Sequence, residues 1–244
     1  MANNELVFGL HAVNRVLESA PERVLTAYVI DGSVNARIEQ VLKLLNVCGC
    51  HVERVARPRL DKLADGGRHQ GVVIVTRGGS VIPESALPDM ISAAGQEAMF
   101  LILDGVQDPR NLGACLRVAD GAGATAVIAP KNRAAGITVA ARNVASGAAV
   151  PFMQVTNLAR TLRLMKEHGI RLVGTSDKAD TAVYAAGFSG PVGLVLGGEE
   201  KGMRRLTREA CDVLVAIPMR GRVSSLNVSV AAGIVLYEAL RQRL

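Results

Sequence analysis

The feature that most constrains the fold is an alternation that begins near residue 97. Six short apolar runs recur there: MFLILD (99–104), TAVIAP (125–130), VPFMQV (150–155), RLVGTS (171–176), GLVLGG (193–198) and VLVAIP (213–218). Helical patterns at about 111–122, 138–147, 158–168, 203–210 and 225–242 accompany them. A strand with one wet face alternates apolar and polar residues, whereas a strand covered on both faces is apolar throughout. The pattern predicts an α/β fold for residues 97–244, with a parallel sheet between two helical layers. Ligands of such sheets bind beyond the carboxyl ends of the strands.

Upstream, strand-like runs at Ala27–Ile30, His51–Val55 and Val72–Thr76 and helical patterns at Leu10–Ser19 and Asn35–Leu45 predict a smaller α/β unit over residues 1–76. Between the two lies TRGGSVIPESALPDM, where Gly78, Gly79, Pro83 and Pro88 interrupt regular structure and predict a linker over residues 77–96.

Composition bears on partners and compartment. Hydrophobic residues make up 49% of the 244, enough for buried cores, and charged residues only 20%. No run approaches the roughly 18 apolar residues of a membrane span, and the start, MANNELVFGLHAV, lacks the pattern of a signal peptide. A cytoplasmic protein without membrane attachment is expected. The four cysteines, Cys48, Cys50, Cys115 and Cys211, have neither CxxC spacing nor a neighbouring histidine pair, so reduced thiols are expected and no metal site. The net charge of +6 is localised: residues 1–76 hold 9 Lys/Arg against 8 Asp/Glu, and residues 97–244 hold 18 against 12. An anionic partner suits that excess. Three Tyr, four Phe and no Trp argue against a base-stacking platform.

Three polar segments each follow a strand of the larger unit, and parallel strands place all three at one edge. The first, DGVQDPRNLGACLRVADGAG, holds a turn and helix start at Asp108, Pro109 and Asn111. Gly113 and Arg117 lie one turn apart, so the guanidinium can lean back over a position without a side chain and add to the positive helix end, where a phosphate or a ribose oxygen gaining charge is favoured. The second, GGEEKG at 197–202, offers glycines for close approach, but its acids repel a pyrophosphate and neither the dinucleotide fingerprint nor the P-loop is satisfied. The third is IPMRGRVSSLNVSVAAG at 217–233. Ser224 or Ser225 can cap the last helix, yet one cap does not require four small polar residues. Asn227 and Ser229 are poor helix-interior choices and are expected to face a pocket or another subunit.

In this order the segments resemble the three motifs of the SpoU (TrmH-type) RNA ribose 2′-O-methyltransferases of the SPOUT superfamily: Asn111-x-Gly113-Ala114-x-x-Arg117-x-Ala119-x-x-x-Gly123, then LGGEEKG, then IPMRGRVSSLNVSVAAG. With GLHAV at 9–13, HQG at 69–71 and RRLTREACD at 204–212, the chain is most similar to members acting on a guanosine of the peptidyl-transferase P loop of 23S rRNA. The resemblance implies a C-terminal methyltransferase domain tied in a trefoil knot, a path that general topology rules would not propose. It also implies a small RNA-binding domain before it, similar to ribosomal proteins, S-adenosylmethionine as methyl donor, and a homodimer with its active sites at the subunit interface. By motif position, Gly197, Ile217, Met219 and Leu226 would contact S-adenosylmethionine. Asn111, Arg117, Glu199, Ser225 and Asn227 would form the catalytic and substrate-orienting set.

Two parts stay open at this stage. A guanidinium remains protonated to above pH ~12, so Arg117 is a poor base; stabilising the alkoxide or gripping the adjoining phosphate are the alternatives. In the smaller unit His11, Arg15, Arg54, Arg57, Arg59 and Arg68 form either an RNA-facing stripe or a solvated charged face, and His69 either touches RNA or serves a turn. The rival functions are a tRNA methyltransferase of the same family, a ribosome-assembly RNA-binding protein without catalysis, and a nucleotide-dependent oxidoreductase.

Overall fold

A computed structural model describes residues 4–19, 21–32, 35–77, 82–145, 148–199 and 202–244. The chain divides into two compact units, Met1–Ser80 and Val81–Leu244.

The first unit holds β1 (Asn4–Phe8), α1 (Leu10–Ser19), β2 (Val24–Ile30), α2 (Ala36–Val47), β3 (His51–Val55), α3 (Arg57–Leu63) and β4 (Val72–Arg77). Its sheet runs β1-β4-β2-β3, with β4 antiparallel to β1 and β2 and β3 parallel to β2. Val13, Leu17, Val29, Val41, Leu45 and Ile74 close one face, and Val55, Leu60 and Val73 the other. α2 begins as the sequence suggests, with Asn35 accepting from the Ile38 amide at 3.1 Å.

The second unit holds α4 (Leu87–Ala94), β5 (Met99–Asp104), α5 (Pro109–Gly121), β6 (Ala126–Pro130), α6 (Val139–Ala145), β7 (Phe152–Val155), α7 (Leu158–Glu167), β8 (Arg171–Thr175), β9 (Val192–Gly197), α8 (Arg205–Ala210), β10 (Val213–Val215) and α9 (Val228–Arg241). All six strands are parallel, in the order β10-β8-β9-β5-β6-β7. The central strand β5 is buried along its length and serves two cores by alternation. Met99, Leu101 and Leu103 pack with residues of α5, α6 and α9, while Phe100 and Ile102 pack with α4 and α7. β5 is also where the strand order reverses, the place where open parallel sheets leave a crevice.

The expected linker is corrected in its second half. Leu87–Ala94 is a helix whose Leu87 and Ile91 are buried in the second core. Pro88 occupies the first turn of α4, where the amide it lacks has no helical partner, so it starts a helix where the sequence suggested a break. Gly78 and Gly79 lie outside the described residues. Two more elements were not anticipated, β1 and the helix α3 that begins at Arg57-Pro58.

Candidate active site

The strands of the second unit deliver the polar segments to one edge. Asp104, last in β5, pairs in register with Gly197, last in β9. Beyond them opens a cleft of ≈ 400 Å³, lined by Thr175–Lys178 after β8, by Gly197, Gly198 and Glu199 after β9, and by Ile217, Met219 and Ser224–Leu226 after β10. Leu196, Val215 and Val228 give it an apolar lining, and Asp177, Lys178 and Arg208 add charge.

Backbone packing, rather than ligand access, explains the two glycines of the second motif. A Cβ at Gly197 would lie 2.1 Å from Gly202 C and Met203 N, and one at Gly198 would lie 2.4 Å from Gly105 O. The chain folds back on itself there, and only hydrogen side chains permit it. Asp104 pins this loop. Its fully buried carboxylate accepts the Arg204 amide at 2.7 Å and faces Arg204 Nε at 3.4 Å, and its carbonyl accepts the Gly198 amide at 2.9 Å.

At the rim, side chains of all three motifs join in a chain of hydrogen bonds. Ser229 donates to Asn227 Oδ1 from its amide at 2.9 Å and from its hydroxyl at 2.7 Å. Asn227 Nδ2 donates to Asn111 Oδ1 at 3.0 Å, and Asn111 Nδ2 to Glu199 Oε1 at 2.5 Å. The Asn227 oxygen that accepts from Ser229 is also the N-cap of α9. Asn227 rather than Ser224 or Ser225 is therefore the cap, which frees both serines to line the cleft. At the start of the helix that carries Asn111, Asp108 caps α5 through the Arg110 amide at 2.8 Å, with Pro109 in the first turn.

Of the expected residues, Gly197, Ile217, Met219, Leu226, Glu199 and Ser225 line the cleft, Asn111 is bonded to Glu199 at its rim, and Asn227 is bonded to Asn111. Arg117 stands apart. It is exposed, makes no hydrogen bond or ion pair to another described residue, and does not lean over an empty Gly113. The space at Gly113 belongs to α6: a Cβ there would lie 2.2 Å from Ala141 O and 2.9 Å from Val144 Cβ. Sequence reasoning passed over Thr175–Lys178, although the run RLVGTS ends there at the same sheet edge, and Asp104, which looked like an ordinary strand end.

Cys115 lies beneath the site, fully buried, with its thiol pushed up to about 12 by burial and secondarily by the Glu199 charge. It stays neutral. All four cysteines are free, and no group of three or more His, Cys, Asp or Glu among the described residues could hold a metal ion. No helix among them is long and apolar enough to cross a membrane.

The first unit engages several of its basic residues locally. Arg59 pairs with Glu53 at 2.8 Å and lies 5.2 Å from the Tyr28 ring centroid, and Arg54 donates to Ile30 O at 3.0 Å. His69 serves a turn: Nδ1 accepts the Gly71 amide at 3.0 Å, which leaves Nε2 to face Asp61 at 2.9 Å. His11 and Arg57 are exposed.

Comparison with known proteins agrees over both units. Residues 98–237 match the SpoU rRNA Methylase family, and residues 6–79 match the RNA 2′-O ribose methyltransferase substrate binding family. The 23S rRNA (guanosine-2′-O-)-methyltransferase RlmB of Vibrio parahaemolyticus is 49% identical over 244 residues, covering 99% of this chain and 98% of that protein. The protein of the same description from Escherichia coli K12 is 48% identical over 242 residues, covering 98% and 99%. Among solved structures, the SpoU methyltransferase AviRb of Streptomyces viridochromogenes in complex with AdoMet is similar at a TM-score of 0.80 and 26% identity, covering 99% of this chain and 91% of that one.

Proposed function

The chain belongs to the SpoU rRNA methylase family, and from that premise we propose that it transfers a methyl group from S-adenosylmethionine to the ribose 2′-hydroxyl of a guanosine in 23S rRNA, in the peptidyl-transferase P loop. The observation that carries the proposal is the bonded meeting of Asn111, Glu199 and Asn227 at the rim of a cleft lined by Gly197, Ile217, Met219, Ser225 and Leu226.

The cleft suits the donor. Its volume of ≈ 400 Å³ falls in the ordinary range for ligand sites. Leu196, Ile217, Leu226 and Val228 would cover an adenine, Ser224 and Ser225 would meet ribose hydroxyls, and Asp177, Lys178 and Arg208 suit a zwitterionic amino acid end. S-adenosylmethionine supplies an already activated methyl on a sulfonium. The residues therefore have chiefly to hold the 2′-oxygen in line with that methyl, and such positioning supplies roughly 7–11 kcal/mol of a barrier.

Arg117 enters from a second copy in this reading. Within one chain it is exposed and outside the cleft, whereas in a homodimer with its sites at the interface it would grip RNA phosphate across from the partner's Glu199. α9 exposes Val230 and Tyr237, seven residues apart on one helix face, which supports an apolar contact between copies. The knotted path of the 217–227 segment, a small RNA-holding unit at the N-terminus and a cytoplasmic setting belong to the same proposal.

The test is methyl transfer in vitro from radiolabelled S-adenosylmethionine to unmodified 23S rRNA, with tRNA transcripts in parallel. Label on the ribose of one guanosine of 23S rRNA is expected. Label on tRNA alone assigns the chain to the tRNA branch of the family, and cofactor binding without transfer to either RNA leaves only a non-catalytic RNA-binding role.

A further inference from the structure

We infer that Glu199 is the acceptor of the ribose proton, oriented for it by a one-way hydrogen-bond chain at the rim that the Ser229 amide directs and the Ser229 hydroxyl strengthens, a deepening that rests on the methyl-transfer reading of this cleft. The direction follows from donor and acceptor chemistry alone. A backbone amide can only donate, so the Asn227 atom facing the Ser229 amide at 2.9 Å is its oxygen. The Nδ2 of Asn227 then turns outward, the Asn111 atom it meets at 3.0 Å is an oxygen, and Asn111 presents Nδ2 to Glu199. Every amide in the chain is polarised the same way, and it ends on a group that must accept.

The hydrogen bond from Asn111 occupies Oε1 of Glu199 and leaves Oε2 for the substrate, in a residue that lines the cleft. The step balances: the O–H bond of the ribose 2′-hydroxyl breaks with its proton going to Glu199, the oxygen forms a bond to the methyl carbon, and the S–C bond breaks with its electron pair staying on sulfur. Glu199 thus becomes neutral as the sulfonium charge disappears. Arg117 cannot take this proton, because a guanidinium has no acceptor site.

The other charged groups near Glu199 are few among the described residues. From α5 comes Cys115, neutral because its thiol is pushed up to about 12, with Asp108 and Arg110 at the start of the same helix. Across the cleft stand Asp177 and Lys178 after β8 and Arg208 of α8, while the first turn of α9 carries no acid. Ser229 touches neither cleft nor carboxylate and acts through Asn227 and Asn111, so it is a positioning residue.

The experiment compares wild type with Ser229→Ala, Ser229→Thr and Glu199→Gln. In Ser229→Ala, kcat for 23S rRNA methylation falls about tenfold, the effect of one lost hydrogen bond. Calorimetric affinity for S-adenosylmethionine and KM for the RNA stay unchanged. Ser229→Thr, which keeps both donors, restores kcat, and Glu199→Gln loses nearly all activity while still binding the cofactor. Wild-type kcat in Ser229→Ala overturns the inference, as does equal loss in Ser229→Ala and Ser229→Thr. If Ser229→Ala does not fold, Glu199→Gln still decides, and wild-type kcat there overturns the inference. Failure of the wild type itself to transfer methyl overturns the reading of the cleft instead.

Discussion

Asn227 Nδ2 lies 3.0 Å from Asn111 Oδ1, so the cap of the last helix is bonded to the first turn of a helix 116 residues earlier. Because the same Asn227 also caps α9, its structural part and its proposed part in methyl transfer can be separated. Asn227→Asp keeps the capping oxygen but sets a second acceptor against Asn111 Oδ1. It should keep its melting temperature at neutral pH while losing methyl transfer. Asn227→Ala removes the cap as well and should lose about 1 kcal/mol of stability in urea unfolding. Equal stability in the two variants would contradict the capping role, and wild-type activity in Asn227→Asp would contradict the role at the rim.

Arg117→Ala should abolish methylation while leaving stability within ~0.5 kcal/mol, as expected of an exposed side chain without described partners. Cofactor affinity should hardly change. Mixed dimers test where the guanidinium acts. If Arg117 serves the partner's cleft, an equal mixture of inactive Arg117→Ala and inactive Glu199→Gln recovers about a quarter of wild-type activity, through the one intact site of each mixed dimer. A mixture that stays inactive places both residues in one subunit's site.

Gly113→Ala sets two effects against each other. Alanine favours a helix by up to about 1 kcal/mol over glycine. The new Cβ, however, would lie 2.2 Å from Ala141 O, a backbone atom that cannot swing aside. Overpacking of this kind costs about 1–3 kcal/mol, so a lower melting temperature is expected, with α5 and α6 forced apart. A stabilised variant would show that α6 is not packed on Gly113.

The end of α9 carries an acid-sensitive clamp. Hydrogen bonds from Arg241 at 2.8 and 2.9 Å, and then from Gln242 at 2.7 Å, lower the Glu238 carboxyl from the ordinary 4.5 to about 2. A group with a depressed folded value contributes its full stability above the unfolded value, and that contribution is lost as pH falls from 4.5 through 2. Thermal unfolding between pH 7 and pH 3 should therefore show a steeper fall for wild type than for Glu238→Gln. Parallel curves would contradict the clamp.

Much of this architecture is legible from residue pattern, and the exceptions share a cause. Met99–Asp104 reads as a strand to the residue because a strand buried on both faces is apolar throughout, and His51–Val55 because Val52 and Val55 sit among β-favouring spacing although only Val55 is buried. Pro88 misled because proline breaks a helix interior yet suits its first turn, and a lone sequence does not say which position it holds. Gly113, Gly197 and Gly198 were recognised as places of close approach, but what approaches is the protein's own backbone, which only the folded chain reveals. Two serines looked like caps because capping chemistry is local, whereas the bond that fixes Asn227 as the cap's bridge to Asn111 joins distant parts of the chain. Thr175–Lys178 carried the same positional signal as the three motifs and lacked only a distinctive residue pattern.

The most direct measurement maps ribose 2′-O-methyl groups across total rRNA from cells with the gene, without it, and without it but supplied with the Glu199→Gln form. A single guanosine of 23S rRNA should lose its methyl group when the gene is removed, regain it with the wild-type gene, and stay unmodified with Glu199→Gln. An unchanged methylation map after deletion, or full restoration by Glu199→Gln, would contradict the account.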